Sequence, residues 1–497
     1  MPRSRSIVFA ATIASAVALL NGCDGSNKST SSDKGAKSSD PAGAAAQSPT
    51  KLRLLVVGDS GLAQKIKQLR GEWSARFGAS LDVSGMAPAD LAKSTSLAAD
   101  VVIYPSAELG SLVERRMIRA LPAAWLDRAD YHKGDLFELP GLRETAWGEQ
   151  TYAVPLGSPV LVCFYRPDLF EQLGRKPPQT WADYQQLVEF FAESDKSKSS
   201  SESPQSSPVQ YGTLEPLASG WAGNMLLARA AAYAKHRDYY STLFDKDSLE
   251  PRIATEPFVR ALTELVAAAK LGPKAQLNDT PADVRREFFA GHSAMALSWP
   301  TADIHDPAGS PPSTMSIGFV ELPGSPEVFS PRDQKWQPRK PDDDPRVPLL
   351  GIAGRLGSIV RGTPSADAAF ELLVWLSSDE WSAQISTASS ATTLFRRSQL
   401  AKPQRWVESG MSADAARQYA EVAAQSFSRP GWLFAPRLPG HEEYMAALDE
   451  AVRRAVAGSA SPAEALTEAA VRWQQITDRL GRTEQQRAYL HSLGLEL

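Results

Sequence analysis

The sequence predicts an α/β fold built as two lobes, and three observations carry that reading. Leu52–Val57 is a short apolar run that ends in Gly58-Asp59-Ser60-Gly61. It is followed by Leu62, Ile66, Leu69, Trp73 and Phe77 at helical spacing. Thr151–Pro155 and Val160–Tyr165 are almost continuously apolar, as strands buried on both faces are. Only Leu156-Gly157-Ser158-Pro159 separates these two strands, too few residues for a crossover helix, so the chain steps there from one core to another.

The elements alternate in order. After the first strand and helix, Leu81–Ser84 reads as a second strand, and Asp100–Ser106 (DVVIYPS) as a third. Beyond the crossing, Thr180 with Asp183 forms a capping-box start for a helix carrying Leu187 and Phe190. Residues 192–208 are Ser- and Lys-rich and read as a solvated surface loop. Helices follow at 221–236 and at 255–271, the latter with Thr255 as N-cap and Gly272 as stop. A further helix with Phe288 and Phe289 stops at Gly291, and Ala294–Leu297 returns as a strand. Phe319–Gly324 and Pro348–Val360 read as later strands, and Ala366–Ser377 as a helix. The C-terminal helix has Ser461 at its N-cap, Pro462 at N1 and Glu464 at N3, and ends at Gly481. Trp73, Trp375, Trp381 and Trp473 fall on amphipathic helix faces and are assigned to the core.

The N-terminus speaks to compartment. Arg3 and Arg5 precede the apolar run Ile7–Leu20, which is too short to span a bilayer and fits a signal-peptide core. Leu20-Asn21-Gly22-Cys23 closes it and resembles the lipobox of bacterial lipoproteins, which implies acylation of Cys23 and removal of residues 1–22. Residues 23–50 contain no aromatic and no large aliphatic side chain, and form a flexible tether. With Cys23 lipidated, Cys163 has no disulfide partner and is an inert core thiol. A formal net charge of −4 gives no footing for nucleic acid.

Four segments in succession resemble the bacterial extracellular solute-binding proteins of ABC transporters, family 1, the sugar-binding type. Tyr152–Pro155 leads to a strand ending Tyr165-Arg166-Pro167-Asp168-Leu169-Phe170, then to Pro177-Pro178-Gln179-Thr180-Trp181. Phe288–Met295 matches that family's Phe-x-x-Gly-x-x-Ala-Met signature, and Phe319–Gly324 its strand with a Leu-Pro exit. Pro348–Val360 is similar to the strand that re-enters the second lobe. The resemblance implies a two-lobed, type II periplasmic-binding-protein-like fold, each lobe a sheet flanked by helices, with the ligand cleft between them. It divides the chain into an N-terminal lobe, 51–155 and 293–324, and a C-terminal lobe, 156–292 and 325–497. It implies a monomeric, lipid-anchored receptor at the cell envelope, periplasmic or on the outer face of the cytoplasmic membrane. Such a receptor captures a mono- or oligosaccharide and delivers it to ABC permease subunits, without a cofactor.

Two other readings stand beside it. Gly58-Asp59-Ser60 looks like the nucleophile block of GDSL-type esterases, and serine catalysis needs a base within reach and a group to orient it. No histidine has Asp three residues earlier, and Gln276 stands where the Gly of an oxyanion block belongs before Asn278-Asp279. Asp59 and Ser60 therefore read as a polar turn that caps a helix and can grip a ligand hydroxyl or anion. The other alternative is a sensor or scaffold that kept the fold. His132, His236, His292, His305, His441 and His491 are scattered, so no metal site is indicated; Glu442 and Glu443 beside His441 read as a solvated helix face.

The remaining expectation is a carbohydrate site of aromatic platforms and polar groups at the carboxyl ends of strands. By resemblance to maltose-type proteins, Tyr104 falls on a stacking aromatic and Ser106 on its polar neighbour, while Ala107 replaces the family's acidic contact. Leu214–Leu226 resembles a second-lobe ligand segment and offers Trp221; Trp299 follows the return strand. The expected ligand-binding set is Asp59, Ser60, Tyr104, Ser106, Gly157, Ser158, Trp221, Trp299 and Gly351, with no catalytic residue and no metal.

Overall fold

Along the strand Lys51–Val57, Leu52, Leu54 and Val56 face one hydrophobic core, and Leu55 and Val57 face another. This two-faced burial explains why the strand reads as a continuous apolar run. In the computed structural model, which describes residues 51–198 and 209–495, this strand lies between Ser80–Met86 and Val101–Pro105, parallel to both. Arg355–Ile359 adds antiparallel to Val101–Pro105, and Val154–Gly157 antiparallel to Arg355–Ile359, completing five strands. The signal segment, Cys23 and the tether lie outside the described residues. The stretch expected as a loop over 192–208 begins instead as the last turns of the helix Trp181–Lys198; residues 199–208 lie outside the described residues.

The second sheet has four strands in the order Gly318–Glu321, Val162–Tyr165, Ser293–Ser298, Tyr211–Leu214. Ser293–Ser298 is antiparallel to Val162–Tyr165 and parallel to Tyr211–Leu214, and Gly318–Glu321 is antiparallel to Val162–Tyr165. The expected lobe boundaries are corrected here. Residues 293–298 and 318–321 belong to the second sheet, whereas 355–359 belongs to the first. The helices Ala366–Leu376 and Asp379–Ser386 pack on the first lobe as well. The cause is that Ser293–Ser298 is buried at every position, and so is Arg355–Ile359 after its first residue. An apolar strand of this kind fits either sheet, and only pairing partners decide.

Among the described residues, three crossings between the lobes run side by side. Leu156 packs in the first core and Val160 in the second; Leu350 packs in the second and Leu356 pairs in the first sheet. At the third crossing the neighbours Leu394 and Phe395 face opposite cores. The helices Ala413–Ser426, His441–Val456 and Pro462–Leu480 then build the second lobe, and Arg482–Ser492 returns to pack on the first beside Leu109–Glu114.

Local chemistry places the helices. Asp59 accepts from the Leu62 amide at 2.9 Å and starts Ser60–Phe77, which stops at Gly78 in a left-handed conformation. Ser461 and Glu464 form the reciprocal capping box, and Thr180 with Asp183 makes the same pair of bonds. Thr255 sits at the N-cap position but bonds back to the Arg252 carbonyl at 2.6 Å instead of to the helix. Trp73, Trp375, Trp381 and Trp473 are all buried. Cys163 is a free, buried thiol, with its pKa pushed far up by burial.

A methyl group on Gly157 would lie 2.4 Å from Thr392 Cα, so the first and third crossings touch backbone to backbone. Gly157→Ala is expected to cost about 1–3 kcal/mol of stability. Gly71→Ala, on the exposed face of Ser60–Phe77 with open space around it, is expected to gain up to about 1 kcal/mol. Urea denaturation of the two variants checks both signs.

Candidate functional site

The carboxyl end of Val101–Pro105 opens toward the second lobe, and a cavity of about 360 Å³ lies between them. Pro105, Ala107 and Glu108 line it from the first lobe; Ser219, Gly220, Asn224, His441, Glu442, Met445 and Asp449 line it from the second. Gly351 and Ile352, in the second crossing, form part of its floor. Apolar and polar groups thus converge from both lobes on one concave space, the form of a small-molecule site.

Each second-lobe group has a structural reason for its place. Trp221 occupies the N-cap of Ala222–Ala234 but supplies no capping bond. The Asp449 carboxylate, from the neighbouring helix His441–Val456, does so instead, accepting from the Gly223 amide at 2.7 Å and from the Gly220 amide. Gly220 has φ +88°, a conformation that glycine adopts without strain, and the turn it makes carries Ser219 and Asn224 into the cavity. Burial raises the Asp449 pKa while those two amides pull it back.

Glu108 is 6 % exposed and accepts no hydrogen bond among the described residues. Burial first, then repulsion from Glu442, push its pKa up to about 7, against the pull of Arg115. His441 opens the helix His441–Val456; burial brings its pKa down to about 4, so its imidazole is neutral at pH 7. Its Nε2 lies 3.8 Å from Glu108 Oε1. Neither Glu108 nor the His441–Glu442 pair was expected in the site. His441 and Glu442 read as a solvated surface because local sequence gives no hint that the helix start faces the other lobe. Glu108 had a signal: it is the first acid after Tyr104-Pro105-Ser106-Ala107, one position beyond the residue that replaces the family's acidic contact.

The expected residues divide into three groups. Tyr104 is a correction. It is fully buried, packs with Leu109, Leu112 and Trp147, and its hydroxyl is 2.6 Å from that of Ser358. Side chains stand perpendicular to the sheet, so Tyr104 points into the core beneath the strand while the next residues reach the cavity. Ser106, Gly157 and Ser158 gather at the hinge. Ser158 donates to Glu144 Oε2 at 2.7 Å, and the Ser106 amide donates to Gly354 O at 3.0 Å. Arg437, buried over the Phe434 ring, donates to the Glu144 carbonyl at 2.9 Å, and burial brings its pKa down to about 10. Glu144 and Arg437 carry no motif of their own and were not foreseen.

Asp59 lies on a different part of the rim. Besides its capping bond, its carboxylate takes the Ser389 hydroxyl at 2.5 Å and Arg355 Nε at 3.2 Å, so it is fully engaged within the first lobe. Ser60 is exposed at the helix start. Trp221 and Trp299 form a tilted pair with ring centroids 5.1 Å apart; Trp221 is half-buried and Trp299 is 4 % exposed. They stand beside the cavity, one residue past Gly220, and do not line it. Gly351 does line it, with φ +77°.

The protonation of Glu108 has a sign that experiment can read. Its ordinary pKa is 4.5 and its folded value about 7, so the folded state holds this proton more tightly than the unfolded chain. Its contribution to stability is complete below pH 4.5 and is lost as pH rises through 7. Glu108→Gln is therefore expected to gain on the wild type between pH 5 and pH 8 in thermal denaturation. An unchanged difference at the two pH values would mean that Glu108 titrates normally.

The sequence matches the family described as bacterial extracellular solute-binding protein over residues 82–383. No curated protein matches the chain. Among solved structures, the sugar-binding protein MalE from the phytopathogen Xanthomonas citri aligns with a TM-score of 0.64 at 20% identity, over 88% of this chain and 100% of its own. An ABC transporter solute-binding protein from Agrobacterium radiobacter, in complex with ribitol, aligns with a TM-score of 0.62 at 20% identity, over 86% and 100%. Maltose-bound MalE3 of T. maritima gives 0.60 at 17% identity, over 86% and 100%. At such identities the likeness is one of fold, the two-lobed type II fold of sugar-binding proteins. These relatives are substrate-binding proteins and not enzymes. With a five-stranded and a four-stranded sheet joined by crossings, a cavity between the lobes and a family match across more than half its length, the chain belongs to the bacterial extracellular solute-binding proteins.

Proposed function

We propose that this protein is the lipid-anchored receptor of an ABC importer, a monomer that takes a saccharide or sugar alcohol into the cleft between its lobes and presents it to the permease. The observation that carries the reading is the cavity shared by both lobes, where Glu108, Asn224 and Ser219 offer polar atoms beside the apolar Pro105 and Met445. Its place matches the general rule that ligands bind at the carboxyl ends of strands, and the fold is shared with proteins holding maltose and ribitol. Trp221, half-buried beside Gly220 at the margin of the cavity and paired with the Trp299 ring, would serve as the aromatic platform once the lobes close. The lobes close about the three crossings, and ligand shifts the population toward the closed form. The role is capture without turnover: the Asp59 carboxylate beside Ser60 is committed to a helix cap, Arg355 and Ser389.

A calorimetric and thermal-shift screen over ribitol, mannitol, maltose and maltodextrins tests the reading. One of these is expected to raise the melting temperature, since a ligand that binds only the native state stabilises it. Trp221→Ala is expected to weaken that ligand by one to two decades, about 1–3 kcal/mol, with little change in the melting temperature without ligand. Trp299→Ala is expected instead to cost about 3–5 kcal/mol of stability. Small-angle scattering should show a smaller radius of gyration with ligand than without. A panel without any binder, or binding with no compaction, would count against a closing sugar receptor.

The anchor rests on Arg3, Arg5, the apolar run Ile7–Leu20 and Cys23. Cys23→Ala is expected to move the protein from the membrane fraction to the soluble fraction, or to leave the precursor unprocessed. A processed variant that stays on the membrane would show that something other than acylation at Cys23 holds it there.

A further inference from the structure

Glu108, His441 and Glu442 each bring one ligand atom to within 4.8 Å of the others at the wall of the cavity. The three come from both lobes, Glu108 from the turn after Val101–Pro105 and the other two from the first residues of His441–Val456. Two carboxylates and one imidazole at such spacing are a donor set for a dication, and a cation between two like charges offsets their repulsion. A second, independent observation points the same way. The Glu108 side chain is more than nine-tenths buried, lines the cavity and accepts no hydrogen bond among the described residues. A buried carboxyl group without a partner is costly, and the other buried carboxyl groups around the cleft do have partners: Asp449 takes two amides and Glu144 takes Ser158. Among the described residues, the side chain that comes within ion-pair distance of Glu108 is His441, whose Nε2 lies 3.8 Å away, beyond a hydrogen bond. That gap is compatible with both atoms ligating one ion.

We propose that the cleft holds one transition-metal dication of the Zn2+ and Mn2+ class, ligated by Glu108 from the first lobe and by His441 and Glu442 from the second. One imidazole with two carboxylates favours these ions over Mg2+, which prefers an all-oxygen shell and keeps its waters. An ion so held ties the lobes together and leaves coordination positions open toward the cavity, where ligand hydroxyls can bind. The sequence hides the site because Glu108 and His441 lie in distant parts of the chain, and neither has a second ligand at a motif spacing except the adjacent Glu442.

The proposal does not need the saccharide reading, because metal binding is measured without any sugar, so either can fail alone. Chelator-treated protein is titrated with Zn2+, Mn2+ and Mg2+ by calorimetry, and bound metal is counted after equilibrium dialysis. One equivalent of Zn2+ or Mn2+ is expected to bind, at least tenfold tighter than Mg2+. Glu108→Gln and His441→Ala are each expected to weaken it tenfold or more, while His132→Ala, at an exposed histidine, leaves it unchanged. Glu442→Gln, at an exposed position, is a variant whose fold is not at risk, and it too should weaken binding. No stoichiometric binding, or binding that survives in all three site variants, overturns the proposal.

Discussion

The structure depends on how closely three stretches of backbone pass one another between the lobes. Gly157 leaves no room for a Cβ because Thr392 Cα lies where it would be, and a Cβ on Gly354 would come within 2.7 Å of Gly157 O. The first, second and third crossings therefore meet at two glycines, with backbone against backbone. Around this contact the buried groups are polar: Ser158 donates to the Glu144 carboxyl, and Arg437 to the Glu144 carbonyl. A buried charge that loses its partner is expensive, so this cluster resists shear. The crossings thus lie together along one axis between the lobes.

That axis also decides what the cavity is made of. Because Val101–Pro105 ends at the hinge, the turn Ser106–Glu108 divides within three residues: Ser106 is held at the hinge, and Ala107 and Glu108 reach the cavity. On the other side, Asp449 fixes the start of Ala222–Ala234 by taking the Gly223 amide of its first turn and the Gly220 amide of the turn before it. A carboxylate at a helix N-terminus is well placed electrostatically, which accounts for a buried acid there. Both walls of the cleft are thus rigid before any ligand arrives, and a rigid site loses less on binding than one that must be ordered.

The parts legible in the sequence are those set by neighbours in the chain. The strand Lys51–Val57, the Asp59 cap, the Ser461 capping box and the buried tryptophans follow from local periodicity and short-range hydrogen bonds. What was not legible depends on partners distant in the chain. Ser293–Ser298 and Arg355–Ile359 were exchanged between lobes because uniform burial looks the same in either sheet. Tyr104 resembled a stacking aromatic by position, yet strand alternation turns it into the core, and Ser358 on an adjacent strand receives its hydroxyl. His441 and Glu442 look solvated until the crossings bring their helix start against Glu108.

Ligand preference in such a cleft follows from which polar groups the fold has already engaged. Asp59 is bonded to a helix amide, Ser389 and Arg355; Asp449 to two amides; Glu144 to the Ser158 hydroxyl at the hinge. These carboxylates hold the walls in place and have little capacity left for a guest. Glu108 is different, since the fold buries it and gives it no hydrogen-bond donor. A guest that supplies a donor or a positive charge there relieves a cost that the empty protein carries, and an apolar guest does not. Discrimination of this kind exceeds what shape alone provides, because the wrong guest leaves a buried polar group unpaired. The uncommitted acid of the first lobe, facing the histidine of the second, is therefore the carboxyl group of this cleft with the most capacity left for a guest.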